Sequence, residues 1–295
     1  MNQEQQSKIA YGRGFLAALD QSGGSTPKAL AQYGVPESDY ATEGEMFDLM
    51  HEFRSRIIAS PAFTGDRVLG AILFEQTMDR DVAGLPAPSY LWEHKQVVPF
   101  VKVDEGLADE NNGVQLMKPF TRLADLLERA VRRDVFGTKM RSFIARADPA
   151  GVTAVLDQQF RYSEQILDAG LVPIIEPEID IHSESRRPAE EMLKQGILDR
   201  LPAVPDGRQV MLKLTIPTQD DYYADLIGHP KVLRTVALSG GYSQHEADIR
   251  LARNHGLIAS FSRALTQDLR RQQTDEEFNR VLAAAIADIY QASTT

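Results

Sequence analysis

Four charged residues, Lys102, Lys139, Glu176 and Lys213, stand 37 positions apart, each inside a short apolar run. The last lies in "VMLKLTIP" (210–217), which reads as a buried strand with an ammonium in its middle. A buried ammonium without partners is costly or gives up its proton, so Lys213 points at water, is paired, or is kept as a reactive amine. A lysine forms a Schiff base only when unprotonated, and its free pKa is about 10.4. Nearby cations disfavour the ammonium form, and Lys139 and Arg141 are available for that. Imine chemistry also needs a proton shuttle, to remove water from the carbinolamine and to move a proton at the adjacent carbon. Glu176 and Glu178, two apart in one run, suit that task as paired carboxylates. Glu178 reads equally well as a partner for Lys213 and nothing more. Asp20, closing the first apolar run, is placed to orient a substrate hydroxyl.

These side chains need strands to carry them. Eight apolar runs read as strands: 15–20, 69–74, 97–104, 136–142, 171–178, 210–216, 232–239 and 257–262. Helical patterns lie between them. One opens at Asp148–Pro149 and closes at Gly170; the last opens with a capping box from Thr274 to Glu277, followed by apolar residues at helical spacing. A further helix start is read at Thr26–Pro27. Eight strands alternating with helices predict an α/β fold with a parallel sheet closed into a (β/α)8 TIM barrel. A doubly wound open sheet is the runner-up, but the Gly-x-Gly-x-x-Gly fingerprint after the first strand is missing. No Pro/Gly/Ser-rich linker divides the sequence, so 1–295 is read as a single domain.

Side chains alternate faces along a strand. The pairs Lys102/Asp104, Lys139/Arg141 and Glu176/Glu178 therefore share one face with Lys213, while Val101, Val103, Met140, Ile175 and Leu212 face the helices. A single charge near a strand end is more often a solvated terminus or an ion pair. A whole ring in one phase must be paired or used, at the barrel mouth where catalytic residues gather. Anion grips are expected beside it. "LSGGYS" offers Ser239 and the backbone of Gly240 and Gly241, and "SFSRA" offers Ser262 and Arg263 after the eighth strand, the usual place for a phosphate in such barrels. Lys102 and Lys28, with hydroxyls such as Ser22 in "DQSGGSTPK", suit a second anionic group on the opposite side.

Composition narrows the class further. A net charge of −10 argues against nucleic acid or an anionic membrane as partner. The chain has no Cys, which excludes disulfides and thiol catalysis. Its six His show no metal-ligand spacing, so no metal or other cofactor is expected. The first residues lack the apolar core of a signal peptide and no apolar run approaches a membrane span, so a cytoplasmic location is expected. Trp92 and the "DDYYAD" run read as packing and solvated surface.

The strings "ALDQSGGSTPKAL", "KVDEG", "FGTKMR", "PIIEPEI", "VMLKLTIPT", "LSGGYS" and "ASFSRAL" resemble class I fructose-1,6-bisphosphate aldolase, most closely its shorter bacterial branch. The resemblance runs in order from about Gly12 to the last helix. It implies a (β/α)8 barrel that cleaves fructose 1,6-bisphosphate reversibly to dihydroxyacetone phosphate and glyceraldehyde 3-phosphate without metal, in glycolysis or gluconeogenesis. It also implies roles for particular residues. Lys213 would be the Schiff-base lysine, Glu176 the general acid/base and Glu178 the carboxylate beside the lysine. Asp20 would handle the C4 hydroxyl, and Lys139 would assist carbinolamine formation with Arg141 next to it. Ser239, Gly240, Ser262 and Arg263 match one phosphate site, and Lys102 lies towards the other. Animal members carry a basic residue where this chain has Ala29, so the second phosphate must be held differently. They also carry a C-terminal tail whose tyrosine reaches the site, whereas Tyr290 here sits on an apolar helical stripe. Rival readings are another Schiff-base barrel, of tagatose-bisphosphate aldolase or transaldolase type, and a non-catalytic sugar-phosphate sensor. Expected partners are small sugar phosphates and further copies of the chain, with no nucleic acid and no membrane.

Overall fold

The apolar runs fold where their composition directs. The computed structural model describes residues 2–295. Eight strands follow one another: β1 Phe15–Leu19, β2 Val68–Leu73, β3 Val98–Lys102, β4 Gly137–Ile144, β5 Val172–Ile179, β6 Val210–Thr215, β7 Val232–Leu238 and β8 Ile258–Phe261. Each pairs in parallel with the next, and β8 returns to β1 through Leu16 and Ser260, so the sheet closes. This is the (β/α)8 barrel, not the open sheet. β4 outruns its expected end because a short antiparallel segment, Val114–Gln115, pairs with Phe143 and Ile144 and prolongs it.

The helices used below are α1 Gln3–Tyr11, α2 Ser25–Tyr33, α3 Glu43–Ala59, α4 Leu123–Arg132, α5 Pro149–Asp168, α6 Arg186–Arg200, α7 Gln244–Leu251 and α8 Asp275–Ala292. Asp148 caps α5 by accepting from the Gly151 amide at 2.9 Å, and Gly170 turns left-handed just beyond it, at φ +84°. Thr274 and Glu277 exchange both capping hydrogen bonds at the start of α8. Such caps satisfy amides that a helix leaves unpaired. The start of α2 differs from expectation. The helix begins at Ser25 after Gly24, and Thr26 is buried inside it; the Ser25 hydroxyl closes the preceding loop by donating to the Ser22 carbonyl.

Two apolar layers hold the barrel. Outside it, Val101, Met140, Ile175 and Leu212 pack against the helices. Inside its lower half, Leu16, Ile72, Phe100, Ile174, Met211 and Val236 form a second cluster, which Ile9 of α1 joins. Helix α1 is not evident from the sequence, because only Gln5 and Ile9 of it are buried. Tyr290 is half-buried on α8 with the Arg67 guanidinium 5.7 Å from its ring centre. Phe100 fills the barrel floor, edge-on to Phe136 at 5.5 Å between centroids. A Cβ on Gly70 or Gly137 would stand 2.9 Å from its ring, so the two glycines are what make room for it. Emptying such a site leaves a cavity that the stiff strands cannot collapse into. Phe100→Ala is expected to lower the unfolding free energy by about 3–5 kcal/mol, read as a lower urea midpoint with an unchanged slope.

Candidate active site

The charged layer lies directly above that apolar floor, and strand register sets its heights. β3 and β4 pair with an offset of 37, placing Lys102 beside Lys139. β5 and β6 also pair with an offset of 37, through Ile174 and Met211, which puts Glu176 level with Lys213. Between β4 and β5 the offset is 35, so Glu176 faces Arg141 and stands one inward position above Lys139. Equal sequence spacing thus becomes a staggered ring, as the tilt of barrel strands requires.

The side chains join into one chain of alternating charge. Lys213 Nζ lies 3.0 Å from Glu176 Oε1. The other oxygen of Glu176 is 3.0 Å from Lys139 Nζ, which also meets Asp20 Oδ2 at 2.7 Å and Asp104 Oδ2 at 3.8 Å. Lys139, Glu176 and Lys213 are all at least 95% buried. Burial opposes ionisation of Asp20, but Lys139, followed by Lys213 and Lys102, outweighs it and holds the carboxyl well below its ordinary range. Burial likewise opposes the Lys139 ammonium, and Asp20, Glu176 and Asp104 together push its pKa well above the ordinary lysine value. Lys102 is tied to Asp104 at 2.7 Å. Two sequence expectations are corrected here. Glu178 pairs with Arg141 and not with Lys213, because the 37-residue offset between β5 and β6 sets Glu176 level with the lysine and Glu178 two residues beyond it. The cations nearest Lys213 are covered by carboxylates, so its direct neighbour is the base Glu176 and not a bare positive charge.

This layer floors a cavity of about 630 Å³ at the C-terminal mouth, lined by Asp20, Lys102, Lys139, Arg141, Glu176, Glu178 and Lys213. Ser22, Lys28, Ser239, Gly240, Ser262 and Arg263 line it too, so the structure assembles nearly every residue picked from the sequence. Gly241 is the exception. It is exposed, in a left-handed turn at φ +115°, with Arg263 Nη2 3.7 Å from where its Cβ would stand. Asp104, Gln21, Ser25 and Ser260 also line the mouth. Ser260 on β8 and Ser262 just beyond its end sit two apart, a period-2 polar signal that would have revealed the first of them. A side cavity of about 550 Å³ shares Ser22, Lys102 and Asp104 with the main one and adds Lys118 and Arg122. None of the six His lines either space. Among the described residues no group of three or more His, Asp or Glu is arranged to hold a metal ion.

A closed barrel with a buried amine against a carboxylate, beneath a mouth that Lys28 and Arg263 also line, suits a class of proteins that receive an anionic carbonyl compound. Within that class the chain belongs to the class I fructose-bisphosphate aldolase family, whose model matches residues 1–200. Relatives span it end to end. It is 59% identical over 294 residues to the fructose-bisphosphate aldolase class 1 of Synechocystis sp., covering 100% of this chain and 98% of that one. It is 55% identical over 295 residues to the protein of the same description from Clostridium acetobutylicum, with both chains covered in full. A crystal structure of the aldolase of Plasmodium falciparum, in complex with TRAP and a small-molecule inhibitor, superposes with a TM-score of 0.76. That match covers 98% of this chain and 93% of that one at 19% identity, and it bears on the fold alone.

The charge chain carries a pH signature. The Asp20 carboxyl is depressed from 3.8, so its contribution to stability is complete above the unfolded value and drains away as pH falls below it. Asp20→Asn is expected to lower the urea midpoint at pH 7, with the deficit against the parent shrinking from pH 5 towards pH 3.

Proposed function

We propose that the enzyme cleaves fructose 1,6-bisphosphate reversibly to dihydroxyacetone phosphate and glyceraldehyde 3-phosphate, through a Schiff base on Lys213, in glycolysis and gluconeogenesis. The observation that carries this reading is the contact of Lys213 Nζ with Glu176 Oε1 at 3.0 Å, inside a mouth lined with phosphate grips. Glu176 takes a proton from the ammonium, and the freed amine attacks the C2 carbonyl of the open-chain sugar. Glu176, with Lys139 beside it, returns the proton to the carbinolamine hydroxyl, which leaves as water. The resulting iminium is the electron sink. Asp20, kept ionised by Lys139, accepts the hydrogen bond of the C4 hydroxyl, whose proton passes to the Glu176 carboxylate as the C3–C4 bond breaks. The bond's electrons flow to the iminium and leave an enamine. Glu176 protonates its carbon, and water then releases the ketone.

The C1 phosphate sits one carbon from the imine carbon, so it belongs to the loops nearest β6, namely Ser239 and Gly240 after β7 and Ser262 and Arg263 after β8. The C6 phosphate falls to Lys102, Lys28 and Ser22 across the mouth, with Ala29 supplying no charge. Arg141 holds Glu178 at the rim between them. In this reading residues 1–295 act as one domain, in the cytoplasm, as a homo-oligomer.

Borohydride with dihydroxyacetone phosphate under EDTA is expected to leave a stable adduct that peptide mass mapping locates on Lys213; phosphate binding without an adduct would overturn the imine. Lys213→Met is expected to lose cleavage on the order of 10⁴-fold or more. Arg263→Ala is expected to raise KM about tenfold to a hundredfold, as the loss of a charge-assisted hydrogen bond. Lys28→Met is expected to raise KM for fructose 1,6-bisphosphate and leave fructose 1-phosphate unaffected, which steady-state assays on the two sugars compare directly.

A further inference from the structure

Beneath the loop that follows β1 lies a guanidinium that the mechanism above does not use. Arg54, on α3, is 1% exposed. Its Nη1 donates to Thr77 Oγ1 at 2.9 Å and its Nη2 to the backbone carbonyl of Gln21 and, at 3.4 Å, to Gln21 Oε1. No carboxylate is among these partners, and Nε has none at all. Phe74 flanks the group, its ring centre 6.0 Å away. A cation desolvated without a counter-ion is expensive. Burial brings its pKa down to about 10, and the charge that resists the drop is Asp20.

What this arginine grips is informative. Gln21 follows Asp20 directly, and its carboxamide donates to Ser262 Oγ at 2.6 Å. Ser262 in turn precedes Arg263 and opens the short helix Arg263–Thr266. Arg54, Gln21 and Ser262 therefore form a strut that ends one residue from Asp20 on one side and one residue from Arg263 on the other. Asp20 itself has its other contact with Lys139 across the barrel, so without the strut it is held from one side only.

We propose that Arg54 is a positioning residue: acting through Gln21, it fixes the Asp20 carboxylate for carbon–carbon cleavage and ties it to the phosphate loop at Ser262–Arg263. This rests on the aldolase reading above. Imine formation uses Lys213, Glu176 and Lys139, whereas the C4 hydroxyl is reached only in cleavage. Loss of the strut should therefore separate the two steps.

The test compares full-length Arg54→Met and Arg54→Lys with the parent in two assays. These are borohydride trapping of dihydroxyacetone phosphate on Lys213, and kcat for cleavage of fructose 1,6-bisphosphate. With dihydroxyacetone phosphate at saturation, so that a loosened Ser262–Arg263 loop does not limit its binding, trapping is expected to stay within about twofold of the parent while kcat for cleavage falls about tenfold to a hundredfold, the scale of a small misplacement of a reacting group. Arg54→Lys, a single donor point in place of a fork, should recover only part of the loss. A merely structural arginine would lower the unfolding midpoint and reduce both assays in proportion, and that result overturns the proposal. Should Arg54→Met fail to fold, Gln21→Met decides: cleavage reduced about fivefold or more with trapping retained supports the strut, and an unchanged ratio rejects it. A parent that traps nothing refutes the aldolase reading itself, whereas a parent that traps and cleaves beside an unaffected Arg54→Met refutes only the strut.

Discussion

The alternation of ammonium and carboxylate along Asp20, Lys139, Glu176 and Lys213 is the constraint on which the site depends. Each charge is taken out of water and is tolerable only because the next has the opposite sign. The chain also makes proton movement cheap. Passing a proton from Lys213 to Glu176 turns an ion pair into a neutral pair within one contact and strands no charge. The amine proposed as nucleophile can thus be uncovered without exposing the layer to solvent. Lys139, bound from two sides, keeps the arrangement in place while its neighbours change state.

The barrel supplies what such a chain requires, namely side chains from β4, β5, β6 and the residue after β1 converging in a staggered ring above an apolar floor. Phe100 sets that floor, and Gly70 and Gly137 leave the room its ring occupies. The register of β5 against β6 does the remaining work. It sets Glu176 level with Lys213 and among the lysines, while Glu178, two residues further along, reaches Arg141 at the rim. One strand thereby delivers two carboxylates to two different environments.

Much of this was legible in the sequence, for a physical reason. A lysine inside an apolar strand is an anomaly that local composition displays, and the two-residue period shows which neighbours share its face. The strands, the caps of α5 and α8 and most cavity-lining residues followed from that. What did not follow depended on relations between elements. The partner of Glu178 hinges on the offset between neighbouring strands, and no single strand records it. Helix α1 buries too little of itself to show a periodic stripe. Arg54 in "HEFRSR" looks like any solvated charge on a helix, and Gln21 like any polar loop residue; only the folded chain brings them beneath Asp20. The family resemblance pointed to residues that meet the sugar phosphate, and so passed over those that hold them.

The packing of α1 against the lower cluster has a consequence for traffic. With Ile9 and the apolar layer stopping the bottom of the barrel, passage runs through the C-terminal mouth, and what enters there leaves there. In the proposed reaction one fragment is released free at the rim while the other remains bonded to Lys213 at the floor. The free aldehyde stands between the bound ketone and the exit. Shape alone therefore imposes a queue, in which the aldehyde departs first and the ketone follows once water has had room to reach the imine.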